Sequence, residues 1–375
     1  MALVAGLAGA HRHGCVALGD ASGLRAVCQQ ERVTRVRNAG FNSTGLPDEA
    51  LDLLLRRLDR TRSDVGRYVV ADAGQNAASD GLERHFAHAA TTYFSSPFTS
   101  AAIVICDRSQ PAVSVWTATG VRITPVEWPW RSPGFSDVYS RCAEILGFRG
   151  EAGGQRMEAL ARLRPDDRNS LVDGLFAWSG DTLDVKPGWE STVEQLHSRI
   201  NRHCIDTAGA GLASALQARI IDLVIEFLTA VRRCTGQTTL CLGGSLFYHS
   251  AINAAVRQAQ IFDGAFVPVD PGEAGLAVGA ALSTLELPPR QLGPFLGPGY
   301  SSQEIKETLE NCKLQYDWVS ADGTIDVAVK ALLKGTLVAW FDGPMEWGPR
   351  ALGARCILAN PFSPYVLENL NRFLK

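Results

Sequence analysis

The sequence predicts an α/β protein built as two domains, and three patterns point that way. Short apolar runs of strand length alternate with stretches whose leucines recur at helical spacing. Twice between residues 238 and 285 a strand-like run enters a glycine-rich turn that opens a helix. The first is Thr238–Leu242 into Gly243-Gly244-Ser245; the second is Ala265–Val269 into Asp270-Pro271-Gly272-Glu273-Ala274-Gly275. Such a turn gathers free amides where an anion can be held, although the arrangement is common. A Pro- and Gly-rich stretch then runs from Leu285 to Gly299. The expected layout is a first domain over 1–287, a linker over 288–300 and a second domain over 301–375.

In chain order, residues 2–7 and 14–18 are apolar runs around Gly9-Ala10-His11-Arg12-His13, which reads as a hairpin. A third run, Leu24–Cys28, leads into the charged stretch Gln30–Arg37. Leu51, Leu54, Leu55 and Leu58 place an amphipathic helix over Pro47–Leu58, and Tyr68–Ala71 follows as a strand. Ala101–Asp107 and Ala112–Thr117 form a second hairpin, and Tyr139–Phe148 reads as a helix. The stretch from there to about Ser191 is irregular apart from Gly154–Ala161. Leu212, Leu216, Ile220, Leu223, Phe227 and Val231 recur at spacings of three and four, the mark of a long core-facing helix. Past the linker, Ser301 and Glu304 form a capping box. A helix, a strand near Tyr316, a helix over Thr324–Leu333 and a strand over Thr336–Phe341 follow, with a last helix from Ser363-Pro364.

The totals exclude several classes. A chain of 375 residues can bury a large core. A net charge of −3 gives no global reason to expect nucleic acid as a partner. Nine cysteines without paired spacing read as reduced thiols in a cytoplasmic protein. The N-terminus lacks a basic region before its short apolar run, so a signal peptide is not expected. No apolar run reaches membrane-spanning length, so no membrane association is expected either. The sequon Asn42-Ser43-Thr44 would then be idle, and the oligomeric state is not readable.

The most informative stretch is Trp340–Pro361. Gly343, Gly348 and Gly353 let the backbone turn tightly, and Pro349 suits the first position of a short helix. Arg350 and Arg355 are charged forks suited to phosphate or carboxylate. Two readings stand side by side: an anion site at a helix start, or a glycine-rich turn whose arginines pair with Asp342 and Glu346.

The order of residues from Glu346 to Pro361, EWGPRALGARCILANP, resembles the signature E-[FW]-G-P-R-A-L-G-x-R-S-I-L-A-x-P of the O-carbamoyltransferases of nodulation-factor and antibiotic tailoring. The resemblance implies a two-lobed actin/sugar-kinase-like (ASKHA) nucleotide-binding domain. After it would come the start, C-terminally incomplete, of an α/β domain similar to threonylcarbamoyl-AMP synthase. It implies ATP as cofactor, and an enzyme that forms carbamoyl-adenylate from carbamoyl phosphate and passes the carbamoyl group to a hydroxyl of a small-molecule or sugar acceptor. Arg350, Arg355 and Glu346 would bind carbamoyl phosphate. Asp107, Gly243, Gly244, Tyr248, Gly272 and Gly275 would bind nucleotide. His11 would act as a base near the acceptor hydroxyl, with His13 where the family has aspartate; two histidines on a solvated turn is the other reading. The family's metal positions fall on Arg84, His88 and Glu273. Arg84 cannot ligate, so either a site is rebuilt from His85, His88 and Glu273, or a salt bridge between Arg84 and Glu273 replaces a divalent metal. Further departures are Arg108–Gln110 in place of two glycines and Tyr248 in place of asparagine. A relative that binds nucleotide without transfer, or a sugar-kinase-class phosphotransferase, are the alternatives.

Overall fold

Two five-stranded sheets with the same strand pattern form the body of the molecule. The structure is a computed structural model and describes residues 2–71, 80–128, 130–150, 152–165, 167–199 and 205–370. In the first sheet β1 (Leu3–Ala8), β2 (Cys15–Asp20) and β3 (Gly23–Gln29) form an antiparallel meander. After α1 (Gln30–Thr34) and α2 (Asp48–Arg57), β4 (Val65–Ala71) pairs parallel with β1, and β5 (Asp80–Leu82) pairs parallel with β4. The order is β3-β2-β1-β4-β5.

Next comes α3 (Arg84–Phe94), and the pattern repeats: β6 (Ser100–Cys106), β7 (Val113–Thr119) and β8 (Arg122–Val126) form the meander. A long helical excursion follows, made of α4 (Phe135–Ile145), α5 (Gly153–Ala161), α6 (Ser170–Asp173), the hairpin β9 (Phe176–Ser179) and β10 (Thr182–Val185), α7 (Trp189–Ser198) and α8 (Ile205–Thr235). Then β11 (Thr239–Gly243) joins β6 in parallel, α9 (Ser250–Gln258) intervenes, and β12 (Gly264–Phe266) joins β11. The order β12-β11-β6-β7-β8 mirrors the first sheet.

Strand alternation decides which helices each sheet carries. Leu3, Ala5 and Leu7 of β1 pack with Leu51, Leu54 and Leu55 of α2 on the outer face. The opposite face, with Ala8, meets α3 and α10 (Glu273–Leu285). In β6, Ala101, Ile103 and Ile105 face the same two helices, while Ala102, Val104 and Cys106 face α4 and α8. So α3 and α10 lie between the two sheets. Their contact is made of small residues, which lets the backbones approach: an ideal Cβ on Gly279 of α10 would sit 2.0 Å from the carbonyl oxygen of Ala87 in α3. Thr91 of α3 donates to the carbonyl of Gly275 across the same contact.

The remainder is thinner. Residues 286–300 lie along the first sheet, where the amide of Val27 on edge strand β3 donates to Leu296 at 2.8 Å. Beyond them stand α11 (Ser302–Asn311), α12 (Ala321–Leu333), the antiparallel pair β13 (Val338–Phe341) and β14 (Arg355–Leu358), and the single turn α13 (Val366–Glu368). The Ser301–Glu304 capping box is formed. This part buries little of its own: Trp318, Leu333 and Phe362 are all largely exposed.

Four sequence expectations need correction. The stretch before Ser191, read as irregular, holds α6, β9, β10 and the start of α7, elements too short to show a period. The strand expected over Ala265–Val269 stops at Phe266, two residues before Pro268, which has no amide to give a ladder. Residues around Tyr316 form no strand, because no neighbouring strand pairs with them among the described residues. No helix starts at Pro349; the chain there is an irregular loop organised around Glu346.

Candidate active-site cleft

A cleft of about 1890 Å³ opens between the two sheets' lobes. Its floor is formed where β6 ends at Asp107 and where α3 and α10 begin at Arg84 and Glu273. The first turn of a helix favours negative charge, and two such starts converge here. Arg84 occupies the point of convergence. Its Nε donates to Asp107 Oδ2 at 2.9 Å and to Ser109 Oγ at 3.2 Å. Its terminal nitrogens form a fork with Glu273, Nη2 to Oε1 at 2.5 Å and Nη1 to Oε2 at 3.2 Å. Burial alone would raise the pKa of Asp107, but His88 and Arg84 outweigh it and hold the carboxyl far below the usual range. His88 Nε2 lies 3.6 Å from Asp107 Oδ2, buried and beyond hydrogen-bond reach.

The two glycine turns meet above this floor. The amide of Gly244 donates to Pro271 O at 2.7 Å, and that of Ser245 to Asp107 Oδ1 at 3.3 Å. Tyr248 Oη donates to Asp270, which also accepts the amide of Gly272. Tyr248 and Gly272 line the cleft, whereas Gly243, Gly244 and Gly275 stand behind its wall. Gly244, at φ +93°, presses on β6, where a Cβ would lie 2.2 Å from Cys106 O. His11 and His13 also line the cleft, on the β1–β2 tip, which is tied down by Gly14 N to Ala39 O and Phe41 N to Ala10 O. In all, seven arginines line the cleft against four carboxylates. The chain is acidic overall, yet this surface carries excess positive charge.

The loop carrying Glu346, Arg350 and Arg355 docks onto the same body. Trp347, 1% exposed, is buried beside α10, and its indole donates to Gly293 O. Arg32 donates to Gly348 O, and Arg350 donates to Tyr248 O at 3.0 Å, so Pro349 reaches the cleft margin. Glu346 Oε1 accepts the amides of Leu352, Ala354 and Arg355, while its Oε2 is buried without a protein partner. Arg355 pairs with neither Asp342 nor Glu346 through its side chain. Its guanidinium bonds the carbonyls of Asp342, Gly343 and Ala354 and lies 3.4 Å from the centre of the Phe341 ring.

Comparison with known proteins is decisive on family. The carbamoyltransferase N-terminus family matches residues 76–282, and the carbamoyltransferase C-terminus family matches residues 329–375. The chain belongs to the carbamoyltransferase family. An uncharacterized Synechocystis protein, sll1178, is 27% identical over 324 residues, covering 78% of this chain and 52% of its own length. The nodulation protein NolO of Bradyrhizobium diazoefficiens is 32% identical over 171 residues, 44% of this chain and 31% of its own. The chain spans about half the length of the curated relatives it matches over most of its sequence. Among solved structures, component A of the Acidaminococcus fermentans (R)-2-hydroxyglutaryl-CoA dehydratase superposes with a TM-score of 0.50 at 14% identity, over 75% of this chain and 97% of that one. At that identity the likeness extends to the fold, α/β with two mixed five-stranded sheets of ASKHA type.

The metal that the carbamoyltransferase resemblance implies does not fit the residues present. Arg84 is a donor only, and it engages Asp107 and Glu273, the nearby carboxylates. His85 bonds Ser114 Oγ through Nδ1 at 2.7 Å and Ser109 Oγ through Nε2 at 3.4 Å, so neither ring nitrogen is left to ligate. Among the described residues no group of three His, Cys, Asp or Glu side chains is arranged to hold a metal ion.

One feature of this carbamoyltransferase cleft escaped the sequence reading. His249, which lines the wall, stacks on Tyr139 with ring centres 4.1 Å apart and sets Nδ1 3.4 Å from Glu158 Oε2. Burial would raise Glu158, but His249, Ser250 and the amide of Ala251 bring it down to about 2. Gly154 lies under the imidazole and leaves it room. No sequence signal pointed to this pairing, since α5 also carries Gln155 and Arg156 and His249 lies 91 residues from Glu158.

His85 gives a pH test of this packing. Burial, then the neighbouring His88, lowers its pKa to about 4. The unfolded chain therefore takes up a proton that the folded chain refuses, so stability is full above the unfolded pKa and falls as pH drops towards 4. Stability in urea is expected to fall by about 2 kcal/mol between about pH 7.5 and about pH 5. Asp107 and Glu158 contribute to acid sensitivity only below that window, since their pKa values are lowered. His85→Gln should flatten the slope; an unchanged slope would remove His85 as its source.

Proposed function

We propose that this chain carries the nucleotide cleft and the opening of the carbamoyl phosphate site of an ATP-dependent O-carbamoyltransferase. The observation that carries the reading is the arginine-rich cleft, with the Glu346–Arg355 loop docked at its margin through Arg350 and Tyr248. Positive charge and two helix starts suit a polyphosphate, and the arginine forks suit a second phosphate. In this reading water cleaves the P–O bond of carbamoyl phosphate to give carbamate and phosphate. A carbamate oxygen then attacks the α-phosphorus of ATP, forming carbamoyl-adenylate and releasing pyrophosphate. The acceptor hydroxyl then attacks the carbamoyl carbon, its proton passes to His11, and AMP leaves. Arg350 and Arg355 hold carbamoyl phosphate, with Glu346 shaping their loop. Asp107, Tyr248 and Gly272 face the nucleotide, and Gly243, Gly244 and Gly275 set the backbone behind them.

Incubation with ATP and carbamoyl phosphate, with and without a panel of hydroxyl compounds, tests this. AMP and pyrophosphate should form only when carbamoyl phosphate is present. ADP formed with a sugar and no carbamoyl phosphate would point to a phosphotransferase instead. Nucleotide binding without any turnover would point to a relative that binds and does not transfer.

A further inference from the structure

We propose that the Arg84 guanidinium is a built-in cation at the floor of the cleft, so that a phosphate-bearing ligand is met there by a fixed arginine and no metal ion. The ligand class rests on the nucleotide reading above; the occupancy of the cation position does not. Three observations carry it. The guanidinium is clamped between two carboxylates, through Nε to Asp107 and through a two-bond fork to Glu273, and its side chain is 15% exposed. The neighbouring His88 keeps Nε2 buried and without a hydrogen bond, 3.6 Å from Asp107 Oδ2, so the imidazole faces a carboxylate already engaged by Arg84. His85, the other nearby imidazole, is held by two serine hydroxyls. A divalent ion entering here would meet like charge at short range and find its oxygen ligands taken.

The two clamping acids differ in a way that lets the arginine change partners without moving. Asp107 is 4% exposed and fixed, whereas Glu273 is 42% exposed at the first turn of α10. An arriving phosphate can displace Glu273 from the terminal nitrogens, while Nε keeps its bond to Asp107. Phosphate oxygens then receive the same planar fork that Glu273 receives in the unliganded protein. Glu273 is thus a competitor for the site, and Asp107 is the anchor that positions the guanidinium.

The test uses the full chain, stripped of metal and kept in EDTA, with pyrophosphate as the calorimetric probe. Pyrophosphate is expected to bind in EDTA, to weaken at least about tenfold in Arg84→Gln, and to bind several-fold more tightly in Glu273→Gln. After equilibration with manganese, zinc or ferrous iron and dialysis, elemental analysis should find no ion retained per chain. One tightly held ion per chain, loss of pyrophosphate binding in EDTA, or unchanged affinity in Arg84→Gln would each overturn the proposal. If Arg84→Gln does not fold, the EDTA and metal-retention results on the unaltered chain still decide. Pyrophosphate binding in EDTA alongside failure of ATP to bind would sink the nucleotide reading and leave the built-in cation standing.

Discussion

Gly279→Ala is expected to destabilise the protein by on the order of 4 kcal/mol and to disorganise the cleft. Helix propensity argues the opposite, since alanine is worth about 1 kcal/mol more than glycine inside a helix. Geometry wins because the added Cβ would stand 2.0 Å from Ala87 O and 2.5 Å from Thr91 Oγ1, atoms of the facing helix that cannot rotate away together. Relief requires α10 and α3 to separate, and both sheets pack on that pair. Gly6 of β1 is equally tight on the other side, where a Cβ would meet Ala277 O at 2.1 Å, so α10 has no slack in that direction. The same separation pulls Glu273 from Arg84, since these residues open the two helices. Gly209→Ala in α8 is the control: the nearest neighbour of its Cβ would be Leu160 Cδ2 at 3.7 Å, so it should be neutral or stabilising. Urea denaturation of the two variants decides; equal stability would mean that the α3–α10 contact yields more easily than its geometry says.

What the sequence made legible follows from periodicity and charge. β1 and β6 read as nearly unbroken apolar runs because each has a helix layer on both faces, and α8 repeats every three or four residues because only one face meets the core. The Arg84–Glu273 pairing was readable because two positions of a known pattern changed to opposite charges together. The pairing of His249 with Glu158 was not, since 91 residues separate them and neither departs from a pattern in a telling way. The loop after Pro349 misled for a physical reason. Proline at a helix start and proline in a tight loop look alike, and what chooses between them is an acceptor for the following amides. Here Glu346 accepts those of Leu352, Ala354 and Arg355, and the helix is not needed. The paired glycines at 243–244 have a packing reason as well, since a Cβ on either would press on α3 or β6.

The second large effect is expected at Glu346. The residue is 4% exposed, and one of its oxygens gathers three backbone amides that have no strand or helix to satisfy them. Burial raises its pKa, but those amides outweigh it and bring it below the usual value, so the group is an anion at neutral pH. Truncation in Glu346→Ala removes the acceptor and leaves the buried amide of Ala354 stranded, at a local cost of about 3 kcal/mol. The Trp347 anchor should hold, because its indole and amide bond to Gly293 and Pro294 on the main body. The damage is therefore confined to the loop and to the start of β14, where Arg355 pairs with Phe341. Hydrogen exchange at Leu352, Ala354 and Arg355 should accelerate while α10 stays protected. Carbamoyl phosphate binding, if it uses this loop, should weaken about a hundredfold, the equivalent of that local cost. Glu346→Gln separates shape from charge: its carbonyl oxygen can still accept the amides, so exchange should change little. Unaltered exchange in Glu346→Ala would mean that the loop is held by its arginines and not by this carboxylate.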